Sequence, residues 1–290
     1  MATHLWHNGA PLAGPALVLD PTTHLGLRYG LGLFETLGWT GHHGIRLAAF
    51  HQARLAQGLV KLLGFTPPAA EAWVAGRWAE IGHALGSLQP PPVYASLRLW
   101  VWATGPMGVY PAPAGTETLL AITPEPTDPW GQAPAWRLSC QMGYSPVTGT
   151  LQGLKLTSAA HYALAAAEAQ ALGYDDALLL SANGYVAETA RANLYAYTGQ
   201  QWVTPPAAGG LVAGTVRAAL LALAEAGQVP LVEGPLTPEA LWAAEAVAVS
   251  NARFGPVAVA EVHGPLGQRT YPPHPAFGAL GQQLAQRVAP

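Results

Sequence analysis

The chain has 290 residues, half of them hydrophobic and only 10% charged, with a formal net charge of −3. That length holds two domains of ordinary size, each with its own core, and the charge leaves no basic footprint for nucleic acid. The single cysteine, Cys140, excludes an internal disulfide and a cysteine metal cage. Residues 1–14 lack the basic and apolar regions of a signal peptide, and the apolar runs at 163–167 and 246–249 are too short to cross a bilayer. The expectation is a cytoplasmic globular protein with neither nucleic-acid nor membrane partners.

Along the chain, residues 16–19 and 32–39 alternate as strands, residues 41–44 read as a hairpin turn, and residues 45–47 as the returning strand. From Leu47 to Leu63 the spacing becomes helical, with Phe50, Leu55, Leu59 and Leu62 roughly on one side. Thr66, Pro67 and Pro68 interrupt it. Val74, Trp78, Ile81 and Leu85 then mark a second helix, prolines end it, and residues 94–102 read as a strand. Pro124, Pro126 and Pro129 fall in residues 122–133, which read as a linker between domains 1–121 and 134–290.

Beyond the linker, residues 136–140 read as a strand. Thr157 or Ser158 is expected to cap a helix that passes through Glu168 and closes at Gly173. Asn183-Gly184 between two apolar runs predicts a hairpin with a type I′ turn. Residues 193–197 and 201–204 form another strand pair, a helix begins near Thr215, and residues 246–250 read as a buried strand. Helices and strands mix in both halves, so the fold class is α/β (α+β) with two domains.

Only two lysines occur, Lys61 and Lys155. Lys61 reads as solvated. Lys155 stands between Leu154 and Leu156, an apolar setting that points to a chemical use, with a snorkelling surface lysine as the alternative. A Schiff-base lysine for pyridoxal 5′-phosphate needs three companions. They are a carboxylate facing the pyridine nitrogen, helix-start amides with an arginine for the phosphate, and a setting that favours loss of the ammonium proton. Glu188 on the second hairpin arm, the loop from Gly209 to Gly214 leading into Thr215 and Val216, and Arg54 are the candidates. Each taken singly is also explained as an ordinary surface group or loop. Their order and spacing join them.

Gly30-Leu-Gly-Leu-Phe-Glu-Thr36 with His51-Gln-Ala-Arg-Leu55 resembles the N-terminal signature of class IV aminotransferases. Gly153-Leu-Lys155, Asp176–Leu180, Gly184–Glu188 and Asn193-Leu194 are similar to the family's central block. Thr204-Pro-Pro206 with Gly214-Thr-Val-Arg217 resembles its phosphate-binding segment, and Ser250-Asn251 a final segment near the phosphate. The resemblance spans about Asn8 to Gly264. It implies the fold-type IV architecture of D-amino acid aminotransferase-like enzymes: a smaller N-terminal α/β domain, a larger C-terminal domain with a barrel-like sheet, and a homodimer that completes each site. It further implies that Lys155 carries pyridoxal 5′-phosphate and shuttles protons, and that Glu188 pairs with the pyridine nitrogen. Arg54, Gly214 and the amides of Thr215 and Val216 would hold the phosphate, joined by Ser250 and Asn251. Tyr29 would line the mouth of the site, a packing role being the alternative.

Three positions depart from the family pattern. Leu31 replaces an acidic residue, and Ala159 replaces a tyrosine that bonds the cofactor's phenolic oxygen, leaving either Tyr162 from the next turn or no such contact. Thr104 replaces an arginine for the substrate carboxylate, leaving Arg98 as its best partner. These changes fall on recognition of the small amino substrate more than on the cofactor. Ser250-Asn251 and the tract Leu154–Ser158 resemble the 4-amino-4-deoxychorismate lyase subgroup, which eliminates pyruvate to give 4-aminobenzoate. The alternatives are a branched-chain or D-amino acid transaminase, and a degenerate scaffold that retains the fold without turnover. A dinucleotide enzyme lacks its third glycine, a serine hydrolase its nucleophile elbow, and a metal hydrolase its paired histidines, so no metal is expected.

Overall fold

The computed structural model describes residues 2–14 and 16–288, and its internal contacts part into two units. The first comprises Met1–Asp128 with Leu154–Ser158, and the second Pro129–Gly153 with Ala159–Pro290.

The first unit is one antiparallel sheet with helices. Its elements are β1 (His4–His7), β2 (Ala10–Pro11), α1 (Leu25–Tyr29), β3 (Gly32–Thr40), β4 (Gly44–Ile45), α2 (Ala48–Leu63), α3 (Pro67–Ser87), β5 (Tyr94–Thr104) and β6 (Gly115–Glu125). The strand order is β2-β1-β6-β5-β3-β4. Period-two alternation in β5 buries Ala95, Leu97, Leu99, Val101 and Ala103, while Arg98, Trp100 and Trp102 take the other face. The two tryptophan rings stack there with centroids 6.3 Å apart. Leu55, Leu59 and Leu63 of α2 and Val74, Ile81 and Leu85 of α3 are buried, as their helical spacing requires. Pro67 and Pro68 open α3, where a missing N–H costs nothing.

Two expectations need correction here. Residues 16–19 form no strand: Leu17 and Leu19 are half-buried, Val18 is 87% exposed, and no neighbour pairs with them. The alternation reflects one-sided burial alone. Strand β6 also continues to Glu125, pairing Pro124 with Ala95, so the first residues of the tract read as a linker belong to the sheet. A proline fits there because β1 pairs with β6 only from Leu119 to Ile122, leaving the N–H side of position 124 outside that ladder. The units divide at Asp128 and Pro129.

The second unit contains β7 (Trp136–Cys140), α4 (Ala160–Ala171), β8 (Asp176–Leu180), β9 (Val186–Thr189), β10 (Asn193–Tyr197), β11 (Trp202–Thr204), α5 (Thr215–Glu225), β12 (Leu231–Glu233), α6 (Pro238–Ala243), β13 (Ala246–Asn251), β14 (Gly255–Gly264), β15 (Gly267–Thr270) and α7 (Pro275–Val288). Strands β10-β13-β14-β7-β8-β9 follow one another, and β9 returns to β10, closing a ring of strands. The closing contact is the pair Glu188 and Asn193. Leu138, Leu178, Val186, Leu194, Val249, Val257 and Val259 fill a core that Leu241 of α6 also joins.

The hairpin between β8 and β9 is present, but its turn is not type I′. Gly184 N–H bonds Ser181 O, and Gly184 has φ +78° while Asn183 is not among the residues with positive φ. This is a type I turn followed by a left-handed glycine, with the register shift of a bulge at Leu179 and Leu180. Helix α4 starts from Ala159 without a side-chain cap. The Thr157 hydroxyl is engaged elsewhere, donating to Gly30 O at 3.2 Å.

Candidate active site

The candidate residues fall into two groups, one in each unit. In the first unit, Leu154–Ser158 lies along the start of β3. Phe34 N–H bonds Lys155 O at 3.0 Å, Thr157 N–H bonds Gly32 O at 2.9 Å, and Leu33 and Leu156 form a bridge. Leu154 and Leu156 are buried, so the apolar neighbours that marked Lys155 in sequence act as anchors. The Lys155 Nζ sits 4.2 Å from the centroid of the Phe34 ring, a cation–π contact that orients the amine.

Next to Phe34, Glu35 points to the opposite face of β3 and is 1% exposed. Its Oε1 accepts Arg54 Nε at 2.8 Å, and its Oε2 accepts Arg54 Nη2 at 2.6 Å. His51 Nδ1 also lies 2.6 Å from Oε2. His51 and Arg54 are three residues apart on α2 and so share a helix face. Burial alone would raise the Glu35 carboxyl, but Arg54 and His51 bring it down to about 2. Burial pushes the His51 imidazole down despite Glu35. A neutral ring beside an ionised carboxylate must carry its proton on Nδ1, since the carboxylate only accepts.

In the second unit, Glu188 is 3% exposed and both of its carboxylate oxygens accept hydrogen bonds. Oε1 accepts the Tyr162 hydroxyl at 2.6 Å and Val212 N–H at 3.0 Å, and Oε2 accepts Asn193 Nδ2 at 3.2 Å. Burial, then Glu188, pushes the Tyr162 phenol far up, so it remains a donor. Asn193 Nδ2 also donates to Val212 O at 2.9 Å. The Asn193 Oδ1 lies 1.8 Å from where a Cβ on Gly214 would be, so only glycine fits at the N-cap of α5. No side chain caps α5, so the amides of Thr215 and Val216 sit at a helix start whose dipole favours an anion. One asparagine therefore links the buried carboxylate to this helix start.

The remaining candidates differ in setting. Ser250 Oγ is 2.8 Å from the buried Tyr195 hydroxyl. Asn251 Oδ1 accepts the amides of Arg253 and Phe254 and so shapes a local turn. The Tyr29 hydroxyl accepts Arg28 Nη2 at 2.9 Å, and its ring faces Tyr110 with centroids 5.2 Å apart. Arg98 is exposed on β5, with its guanidinium 5.6 Å from the Trp100 ring centre. Thr104 bridges to His24. Lys61, His42 and His43 are exposed, and no metal-capable cluster occurs among the described residues. Burial pushes the Cys140 thiol up to about 11, which makes it inert.

Sequence reading assigned no role to Glu35, His51 or Asn193, and for the phenolic oxygen it left either Tyr162 or no contact; the Tyr162 hydroxyl donates to Glu188. The usable signal was a lone acid in the apolar run 31–37 combined with His51 and Arg54 at helical spacing.

The family model described as Amino-transferase class IV matches residues 32–262. A 4-amino-4-deoxychorismate lyase from Pseudomonas aeruginosa is similar over 97% of this chain and 98% of its own, at 27% identity and a TM-score of 0.78. A branched-chain aminotransferase from the archaeon Thermoproteus uzoniensis with norvaline reaches a TM-score of 0.80 at 21% identity, covering 98% of this chain and 94% of its own. A hypothetical aminotransferase from Mycobacterium tuberculosis in its PLP-bound form reaches 0.80 at 19% identity, covering 99% of each. At such identities these last two establish the fold alone. No curated protein sequence matches significantly, and no helix among the described residues is long and apolar enough to cross a membrane.

Proposed function

Because this chain belongs to the class IV aminotransferase family, whose enzymes depend on pyridoxal 5′-phosphate, we propose that it is a 4-amino-4-deoxychorismate lyase, releasing pyruvate and leaving 4-aminobenzoate. The observation that carries this reading is the likeness to the Pseudomonas lyase, which spans nearly all of both chains at 27% identity.

The residues present fit the cofactor's chemistry. A buried carboxylate that accepts hydrogen bonds from Tyr162, Val212 and Asn193, Glu188 is the group proposed to hold a proton at a pyridine nitrogen. The α5 start, where Gly214 leaves no room for a side chain, suits a phosphate, and Arg54 is proposed as a guanidinium contact for a phosphate. Ser250 and Asn251 are proposed as flanking contacts, and Lys155 as the residue that holds the cofactor. When bound, the cofactor supplies an electron sink for the substrate carbon beside the amino nitrogen.

Lys155 Nζ then serves as the base that takes a proton from the substrate and as the acid that returns one. Glu188 would accept the hydrogen bond of a protonated ring nitrogen, while the Tyr162 hydroxyl, which stays protonated near neutral pH, donates to the same carboxylate and fixes its position. Tyr29 and Arg98 are proposed to meet the substrate's ring and carboxylate. The working species is proposed to be a homodimer, so light scattering should give twice the 30.1 kDa chain mass, and a 30 kDa species would refute that.

The primary test is a titration with pyridoxal 5′-phosphate followed by absorption in the near-visible range, wild type beside Lys155→Ala. The wild type should gain a band that the variant lacks, and the variant should lose turnover by about 10²–10⁴-fold from proton transfer alone. Supplied with aminodeoxychorismate, the wild type should release pyruvate without an added keto acid. Turnover only with an amino donor plus a keto acid would replace the lyase reading with a transaminase.

A further inference from the structure

We propose that Glu35 is the positioning residue for the phosphate end of the cofactor, acting by holding the Arg54 guanidinium in one plane. The inference rests on the cofactor reading above and deepens it. A single arginine on a helix surface samples many rotamers, and ordering it on binding opposes affinity. Here that ordering is complete in the fold. Two parallel N–H···O bonds, 2.8 and 2.6 Å, fix the guanidinium plane, as expected of a bidentate arginine–carboxylate pair. Glu35 is itself immobilised by β3, where its neighbours on either side pair with β5, and by His51 at 2.6 Å.

The arrangement is costly unless it has a use. A fully buried carboxylate with a neutral imidazole and an arginine 9% exposed contributes less to stability than well-packed apolar residues of the same volume. What the pair provides is direction. Glu35 commits Nε and Nη2, so the orientation of the whole planar group follows from its position. Glutamine at position 35 would turn an NH₂ toward one of these donors and break the fork. Aspartate would keep the charge, but from the same backbone it is one methylene too short to reach both nitrogens.

The inference is tested by equilibrium binding of two compounds to the full chain, pyridoxal 5′-phosphate and pyridoxal, which differ only by the phosphate. Near-visible absorption reports the Kd of each for wild type, Glu35→Gln, Glu35→Asp and Arg54→Lys. Glu35→Gln and Arg54→Lys should each raise the Kd for the phosphorylated compound about 10- to 100-fold and leave that for pyridoxal within about twofold. Glu35→Asp, which keeps the charge and is the variant more certain to fold, should show the same selectivity with a smaller loss. The double variant Glu35→Gln/Arg54→Lys should lose no more than Arg54→Lys alone, since both act through one group. Equal losses for the two compounds, or no loss for either, would overturn the inference while leaving the cofactor reading intact. A wild type that binds neither would remove the cofactor reading and this inference together.

Discussion

At the scale of single residues, Gly214 carries the strictest demand in the second unit. Any side chain there would meet Asn193 Oδ1, and Asn193 cannot retreat without releasing Glu188 and the Val212 carbonyl. Gly214→Ala should therefore destabilise the chain by about 1–3 kcal/mol, as overpacking does, and it should weaken cofactor binding as well. Thermal melts with and without pyridoxal 5′-phosphate check both; an unchanged melting temperature would mean that Asn193 yields freely. The buried setting of the Lys155 segment was legible in the sequence from the flanking leucines, and that of Glu188 from its apolar hairpin arm. The partners of Glu35 were less so, because they lie 16 and 19 residues downstream on another element, and pairing across that distance follows from how α2 meets β3. The Tyr162 contact escaped for a similar reason: Glu188 is 26 residues away, and only the placement of α4 beside the strand ring decides which acceptor the hydroxyl finds.

At the scale of elements, periodicity located most helices and strands, and errors fell where local chemistry allowed two solutions. Asn183-Gly184 suits a type I′ turn, yet the chain uses a type I turn with a left-handed Gly184. Both solutions require glycine at 184, but only type I′ would require positive φ at Asn183. Gly184→Ala should thus cost about 1 kcal/mol, whereas Asn183→Ala should cost less, and a urea titration of the two variants separates the turn types. A larger penalty at 183 would restore type I′. Thr157 and Ser158 resemble helix caps in sequence, but Thr157 pairs with Gly32 of β3, and Ala159 starts the helix without a side-chain cap. The closure of the strand ring through Glu188 and Asn193 was not readable either, since a pairing of two residues between neighbouring strands leaves no periodic trace.

At the scale of the whole molecule, the buried acid and imidazole of the first unit set how stability depends on pH. Both titrate lower in the folded chain than in the unfolded one: Glu35 falls from 4.5 to about 2, and His51 falls below 6.5. In each case the unfolded chain binds more protons, so their contribution is whole above pH 6.5 and decreases as pH falls. His51 begins to act against the fold below 6.5, and Glu35 below 4.5. Across the drop toward pH 2 the Glu35 contribution amounts to about 3 kcal/mol. Melting temperatures measured from pH 8 to 3 should decline gently and then steeply below 4.5. Glu35→Gln should start lower and decline less in the acid range; equal slopes would show that other groups control acid unfolding. The two-unit division at Asp128 has its own consequence, because the first unit is incomplete without Leu154–Ser158. A ribosome releases the chain from its N-terminus, so 25 residues of the second unit (129–153) emerge before the first can add the segment that buries Leu154 and Leu156. Lys155 arrives in the same stretch that finishes its unit, and a nascent chain cut short before it lacks both the amine and the closing contacts.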